Sequence, residues 1–395
     1  MYIIKEANYK EMIKQLQKEH IRVFGEEPLL VRSPGRINVI GEHTDYNEGF
    51  VLPAAVDKYI YVGISVRRDK EIHVNSLSFN EIVIHKIEAS EKSSRHWANY
   101  ILGMVDQLKE KLYCGFNMTV YGDVPIGAGM SSSAALESAT GFALNELFDM
   151  GMNRKELALM GQRCEHTYIG VKCGIMDQFA SLFGKDGHVI KLDCRDLSHR
   201  YVPMQMGEYV LLLLNTNVKH SLASSAYNRR REKCEEAVAY LQHEYPNVRS
   251  LRDASLEMLK KIVLKKDEEA FTKAKFVVEE IQRVEESCEQ LIHGDLQGLG
   301  RHMFETHKGL SKDYEVSCAE LDFLVEYVGQ FPEVLGARMM GGGFGGCTIN
   351  IVHKNFVDTL LSFVRPRYEE KFNLALDIYN VELRNGTEIV NEHGY

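Results

Sequence analysis

A polar segment near the start of the chain carries a dense set of residues that could bind a ligand. Residues 33–47 lie between two apolar, strand-like stretches. Carboxylates and amides this close together suit a polyhydroxylated ligand, because a sugar hydroxyl can donate to a carboxylate and accept from a neighbouring amide. A polar surface loop is the alternative interpretation. The residues concerned are Arg36, Asn38, Glu42, His43 and Asp45.

A second stretch has the composition of a phosphate-binding loop that opens a helix. Small residues let an anion approach the backbone, and a helix N-terminus offers free N–H groups and the positive end of its dipole. One of its serine hydroxyls could also reach a metal ion. It is not a Walker A loop, because no GxxxxGK[ST] pattern occurs in the chain. A plain serine N-cap is the alternative. The loop comprises Gly127, Ala128, Gly129, Met130, Ser131, Ser132 and Ser133.

Two further stretches are harder to explain by packing alone. The glycine cluster at 341–346 matches GxGxxG, but a strand rather than a helix follows it, which argues against a dinucleotide-binding unit. It predicts a backbone with positive φ, or one that passes close to a ligand or strand, with a structural turn as the alternative. Asp177, in the apolar stretch 173–179, is either a helix cap or an active-site carboxylate, and taken alone the cap is favoured.

Hydrophobic periodicity predicts the elements that position these segments. The chain of 395 residues is long enough for two domains, which we divide into 1–205 and 206–395. The single tryptophan, Trp97, is expected to pack in a partly buried position; the alternative is that its helix faces a bound nucleotide. Strands are predicted at 29–33, 50–66, 116–121, 209–214 and 348–352. Helices are predicted at 1–20, 134–148, 154–168, 224–245 and 255–295.

Composition narrows the class of protein. Lys and Arg number 47 and Asp and Glu 56, which leaves a net charge of −9. An acidic balance without a basic cluster argues against nucleic-acid binding. The eight cysteines form no CxxC pair or zinc spacing, so they predict reduced thiols in a cytoplasmic protein. Without an export signal or a long apolar run, no membrane association is expected.

Together, the segments resemble the galactokinase subgroup of the GHMP small-molecule kinases. The resemblance extends in order from residue 30 to about 352, and its departures touch no position expected to do chemistry. It implies an α/β (α+β) fold of two domains, with the active site in the cleft between them. The stretches that carry it are PGRINVIGEHTDYNEGFVLP (34–53), GAGMSSSAALE (127–137), CGIMDQFAS (173–181), KHSLASSAYNRRREKCEEA (219–237) and GARMMGGGFGGCTINIV (336–352).

The resemblance also implies a reaction and a role for each matching residue. The reaction is ATP-dependent phosphorylation of the C1 hydroxyl of D-galactose, the first step of galactose breakdown. Asp177 is expected to be the base, with Arg36 beside it to neutralise the transferring phosphoryl group. Residues 127–133 are expected to wrap the triphosphate of ATP, and Ser133 and Glu165 to hold Mg²⁺. The residues expected to contact the sugar are Arg36, Glu42, His43, Thr44, Asp45, Gly174, Asp177 and Tyr227.

Two alternatives to this function stay open. A close relative could phosphorylate N-acetylgalactosamine or L-arabinose, since contacts at C1, C3 and C4 would be shared. A protein of this fold could also bind galactose and ATP as a non-catalytic regulator, but Arg36, Asp177 and the serine-rich loop are intact, which favours a catalyst. A monomer without nucleic-acid or membrane partners is expected.

Overall fold

Residues 2–89, 91–218 and 223–390 of the computed structural model form three β-sheets flanked by helices. The strands are β1 (Leu29–Asn38), β2 (Phe50–Val51), β3 (Pro53–Val66), β4 (Glu71–Ser76), β5 (Glu81–Lys86), β6 (Phe116–Gly122), β7 (His188–Asp193), β8 (His199–Pro203), β9 (Tyr209–Asn215), β10 (Val334–Met339), β11 (Cys347–His353), β12 (Asp377–Val381) and β13 (Glu388–Ile389). The α-helices are α1 (Tyr2–Phe24), α2 (Ala98–Leu108), α3 (Ser132–Leu147), α4 (Arg154–Arg163), α5 (Met176–Phe183), α6 (Ala223–Gln242), α7 (Leu256–Met258), α8 (Glu268–Ile292), α9 (Leu296–Lys312), α10 (Ala319–Val328) and α11 (Val357–Phe372).

The largest sheet has the strand order β13-β1-β3-β6-β4-β5, in which only β4 and β6 run parallel. Alternate residues of β3, such as Val62 and Ile64, enter the main core, as period-2 patterning requires. The predicted strands at 29–33, 50–66 and 116–121 are confirmed. The second is interrupted at Leu52, whose backbone pairs with Val39 and Ile40 beyond the end of β1.

The second sheet, ordered β10-β11-β9-β12, explains the longest apolar run of the sequence. On β9, Leu211 and Leu213 face the main core, whereas Leu212 and Leu214 face a second core formed with α10 and α11. A strand covered on both faces needs no polar alternation. A third, small sheet has the order β2-β7-β8.

The long charged stretches of the second half are helical, as predicted, but the stretch at 255–295 is not one helix. A π-helical turn (Leu259–Val263) follows α7, and α8 begins as a separate helix after Asp267. The Asp267 carboxylate accepts a hydrogen bond from Ala270 N at 2.9 Å. An N-cap of this kind satisfies a free N–H of the first turn and fixes where the helix begins.

The chain returns to its first sheet at the end. β13 pairs with β1, so residues 388–389 contact a strand more than 350 positions earlier. Strand β10, immediately before the glycine cluster, was not predicted. A Cβ on Gly336 would collide with the backbone of Gly300, and one on Gly300 would collide with the backbone of Leu335, which explains a glycine within the strand. None of the helices in the described ranges is long and apolar enough to cross a membrane.

Candidate active site

A bidentate ion pair joins Arg36 on β1 to Asp177 in the first turn of α5. Nε of Arg36 donates to Oδ1 of Asp177 at 2.8 Å, and Nη2 donates to Oδ2 at 2.7 Å. The residue that caps α5 is Ile175, so the interpretation of Asp177 as a helix cap is wrong. Burial disfavours the charged form of Arg36, but the charge and hydrogen bonds of Asp177 outweigh it and raise the pKa of Arg36.

The Arg36–Asp177 pair lies where two cavities meet. A large cavity of about 940 Å³ extends from this pair along the predicted phosphate loop, and a small one of about 130 Å³ lies on the other side. Arg36, Asp177 and the glycines at 341–342 line both. The arrangement therefore provides two adjoining compartments with one charged pair between them.

The small cavity collects most of the residues predicted to contact a sugar. Because an added Cβ at position 174 would collide with the Asp45 carboxylate, only glycine fits there without displacing it. Thr44 does not line this cavity; its hydroxyl lies 2.9 Å from the carbonyl oxygen of Gly41 and 2.5 Å from that of Phe50, holding the turn. The predicted residues that do line it are Arg36, Glu42, His43, Asp45, Gly174, Asp177 and Tyr227.

Burial controls the charges inside the small cavity. It raises the pKa of Asp45 to about 7, with the negative charge of Asp177 adding to the effect. It lowers the pKa of His43 to about 3, so this imidazole is neutral at physiological pH. Nδ1 of His43 pairs with the hydroxyl of Tyr46 at 2.8 Å, which in turn pairs with the hydroxyl of Tyr314 at 2.8 Å. The ring is thus held in place by a partly buried chain of hydrogen bonds.

The predicted phosphate loop has the backbone of an anion site. Gly127, Gly129 and Ser131 have positive φ, which turns the chain sharply into α3. Ser131 is the N-cap residue of α3 but makes no side-chain capping bond, so the plain serine cap does not describe this loop. Arg36 is tied to the loop, since its backbone N donates to Met130 O at 3.0 Å and its Nη1 donates to Gly129 O.

Ser133 and Glu165 meet beside the loop and provide hard oxygen atoms. Burial, together with the charge of Asp177, raises the pKa of Glu165 to about 7, although the nearby Ser133 side chain favours the ionised form. A hydroxyl and a carboxylate suit Mg²⁺, which keeps several ligands from water or phosphate. Within the described ranges no group of three or more His, Cys, Asp or Glu residues could hold a metal alone. Ser133 lines the large cavity and the buried Glu165 lies behind it, so this pair could supply two oxygen ligands to a magnesium ion.

The positive φ predicted for the glycine cluster is confirmed, and the cluster also forms the structural turn that was the alternative. Gly341, Gly343, Gly345 and Gly346 have positive φ, and the cluster turns β10 into β11. A Cβ at Gly346 would lie 3.5 Å from the backbone nitrogen of Gly129 in the phosphate loop, so the two loops pack together. The large cavity is consequently lined from both halves of the chain.

Sequence reasoning missed several side chains that shape the site. On the wall of the large cavity Phe79 stacks on Trp97, with ring centroids 5.6 Å apart, and Glu81 Oε1 accepts from the Trp97 indole N–H at 2.7 Å. Trp97 is partly buried against the main core, as expected, and it also lines the large cavity, as the alternative interpretation had it. Two buried charged residues, Arg338 and Glu280, hold the segment 38–42 from the other half of the chain. No local pattern reveals partners more than 200 residues apart.

Three family models match the chain. The model of the GHMP kinases N terminal domain matches residues 99–185, and that of the GHMP kinases C terminal matches 287–369. The galactokinase galactose-binding signature matches residues 18–66, which include the polar segment of the small cavity.

Full-length relatives agree with these matches. The galactokinase of Thermotoga neapolitana is 40% identical over 362 residues, covering 91% of this chain and 99% of that protein. The crystal structure of Lactococcus lactis galactokinase complexed with galactose is 35% identical, with a TM-score of 0.92 over 96% of this chain and 100% of that one. A mevalonate kinase structure, 18% identical with a TM-score of 0.62 over 90% of this chain and 99% of its own, shares the fold alone.

The N- and C-terminal domain matches, together with the structural match, define a GHMP kinase, and the predicted fold class is confirmed. Within that class, the chain belongs to the galactokinase family.

Proposed function

We propose that this chain transfers the γ-phosphoryl group of ATP to the C1 hydroxyl of D-galactose. The observation that carries the proposal is the Arg36–Asp177 pair at the junction of the two cavities. Phosphoryl transfer mainly requires that donor and acceptor are held in line and that developing charge is stabilised. A charged pair between a nucleotide compartment and a sugar compartment meets both requirements.

Galactose occupies the small cavity in this proposal. Asp45 and Glu42 accept hydrogen bonds from sugar hydroxyls, and the neutral imidazole of His43 faces the same space. The match to the galactose-binding signature and the galactose complex of the Lactococcus lactis relative support this choice of sugar. The C1 hydroxyl then lies at Asp177, facing the larger cavity.

ATP occupies the large cavity, with its phosphates along residues 127–133 and its base towards Trp97 and Phe79. The N-terminus of α3 faces the phosphates and adds the positive end of its dipole. Ser133 and Glu165 would hold Mg²⁺, which would offset the negative charge of the triphosphate.

The chemical step uses the central pair. The C1 oxygen forms a bond to the γ-phosphorus while the bond from that phosphorus to the β–γ bridging oxygen breaks, releasing ADP. Asp177 orients the C1 hydroxyl and accepts its proton. Arg36 keeps Asp177 in place and, through its contact with the phosphate loop, brings positive charge next to the transferring group.

A coupled ADP-release assay with Mg-ATP tests the proposal on galactose, N-acetylgalactosamine, L-arabinose and glucose. We expect turnover on galactose that disappears in Asp177→Ala. Turnover on another sugar alone would keep the mechanism and change the substrate. If galactose raises the melting temperature without any turnover, the chain is a sugar-binding regulator and the proposal is wrong.

The location, the oligomeric state and the domain division of the protein are also part of the proposal. We propose a cytoplasmic monomer with a domain division near residue 205. All eight cysteines lie in the described part of the chain and are free, as expected in a reducing compartment.

A further inference from the structure

The guanidinium of Arg338, on β10, is fully buried and contacts the polar segment almost 300 residues earlier in the chain. Nε donates to the carbonyl oxygen of Val39 at 2.8 Å, and Nη2 donates to that of Asn38. Nη2 also lies 3.0 Å from Oε1 of Glu42, while Nη1 donates to the carbonyl oxygen of Met339 at 2.6 Å. Every nitrogen of the side chain is thus engaged, mostly with the segment that carries the sugar residues.

One oxygen of Glu42 receives two donors from the second half of the chain. Besides Arg338, the backbone nitrogen of Gly341 donates to Oε1 at 2.7 Å. Glu42 is almost fully buried and lines the small cavity. No hydrogen bond to its other oxygen, Oε2, is found among residues 2–89, 91–218 and 223–390. Because Oε1 is occupied, Oε2 is the oxygen left to accept a hydrogen bond from a ligand.

We infer that Arg338 is a positioning residue for substrate: it fixes Glu42 so that Oε2 faces the sugar, and it aligns the glycine cluster on the same carboxylate. The planar guanidinium suits this task because it satisfies two carbonyls and a carboxylate at once, which a lysine ammonium cannot do in the same geometry. The inference rests on the proposed function, since it assigns Arg338 to the binding of galactose.

A merely structural role is the competing explanation, and the chain offers a matched control for it. Glu280 on α8 is also fully buried and also reaches the polar segment, accepting from Gly41 N at 2.9 Å and from Thr306 Oγ1 at 2.8 Å. Within the polar segment it contacts only backbone, its other partners being the side chains of Thr306 and Arg283, and it lines neither cavity. A substitution at Glu280 therefore loosens the same segment without releasing a carboxylate that faces the sugar.

The test is a double-mutant cycle on galactose affinity, measured by calorimetry without turnover. We expect Arg338→Lys to weaken galactose binding by about tenfold or more, because a hydrogen bond to a charged group is lost. In the Glu42→Gln background the same substitution should weaken galactose binding by less than about twofold. Glu280→Gln should lower the melting temperature with little change in galactose affinity.

Two results would overturn the inference. The effects of Arg338→Lys and Glu42→Gln could multiply in the double variant, or Arg338→Lys could lower stability and leave galactose affinity intact. If Arg338→Lys does not fold, the Glu42→Gln variant decides the question alone. It should lower both the galactose affinity and the melting temperature, because it leaves the Arg338 charge unpaired. An unchanged melting temperature would contradict the coupling of Arg338 to Glu42. Failure of the wild type to bind galactose would instead refute the proposed function.

Discussion

Arg36 holds both carboxylate oxygens of Asp177, through Nε at 2.8 Å and Nη2 at 2.7 Å, at the boundary between the two cavities. The third nitrogen of the same guanidinium donates to Gly129 O in the phosphate loop. One side chain therefore sets the position of the carboxylate relative to the phosphates. A bidentate pair of this kind fixes the orientation of the carboxylate as well as its distance, which a single charge–charge contact does not.

Replacing Arg36 by lysine should keep the positive charge but remove the bidentate hydrogen bonds to Asp177. We expect kcat to fall by roughly 100-fold or more, the usual effect of removing one preorganised donor to developing charge. Arg32→Lys is the matched control, because Arg32 also lies on β1 and pairs with a carboxylate, that of Glu388, away from both cavities. Steady-state kinetics of the two variants would decide; equal losses would contradict a special role for Arg36.

Galactose binding should release a proton near neutral pH. Burial and the charge of Asp177 raise the pKa of Asp45 to about 7, so the free protein holds Asp45 partly protonated. Sugar hydroxyls favour the ionised carboxylate as acceptor, so galactose affinity should rise as the pH increases from about 6 to about 8. The folded protein binds the Asp45 proton more tightly than the unfolded chain does. The stability that this proton contributes is therefore lost as the pH rises from 3.8, the ordinary pKa of an aspartate, towards 7.

Calorimetry in two buffers with different ionisation enthalpies measures that proton release. Asp45→Asn cannot ionise and should bind galactose, more weakly, without releasing a proton. Proton release that persists in Asp45→Asn would show that another group titrates.

Gly174→Ala should affect the sugar and spare the nucleotide. The new Cβ would collide with the Asp45 carboxylate, and overpacking of this kind costs about 1–3 kcal/mol. We therefore expect the KM for galactose to rise by about fivefold or more, with the KM for ATP within about twofold of the wild type. Gly329→Ala is the control, because Gly329 has helical dihedral angles at the end of α10 and lines neither cavity. A parallel rise in both KM values would refute this assignment.

The intrinsic fluorescence should report the nucleotide. Trp97 is the single tryptophan of the chain and lies on the large cavity, stacked on Phe79. We expect Mg-ATP and Mg-ADP to change its emission with saturation, whereas galactose alone should have little effect. Trp97→Phe removes the signal and serves as the blank. Emission that follows galactose and ignores the nucleotide would reverse the assignment of the two cavities.

The parts of the site that the sequence predicted are those with local chemical signals. The loop 127–133 concentrates glycine and serine before a helix, and the cluster 341–346 concentrates glycine beyond what packing needs. Both require backbone conformations that few residue types allow, so composition alone indicates them. The strands β1, β3, β6 and β9 were predictable for a similar reason, since their apolar residues follow the sheet pattern.

The parts that were missed depend on tertiary contacts. Strand β10 contains Gly336 and Arg338, which break a β pattern, and each has its reason in a distant partner: the backbone of Gly300 and the carboxylate of Glu42. Thr44 resembled a sugar contact from its place in the polar segment, but its hydroxyl holds the turn. A single sequence shows which residues are polar, not which partners will satisfy them.

The central claim is that galactose is phosphorylated at C1 by way of the Arg36–Asp177 pair. ³¹P NMR of a reaction containing the protein, Mg-ATP and galactose tests it most directly, because the coupling of the new signal to the anomeric proton identifies the acceptor. We predict galactose 1-phosphate and ADP in equal amounts from the wild type, and no sugar phosphate from Asp177→Asn under the same conditions. A phosphate on another hydroxyl, or an undiminished yield from Asp177→Asn, would contradict the account.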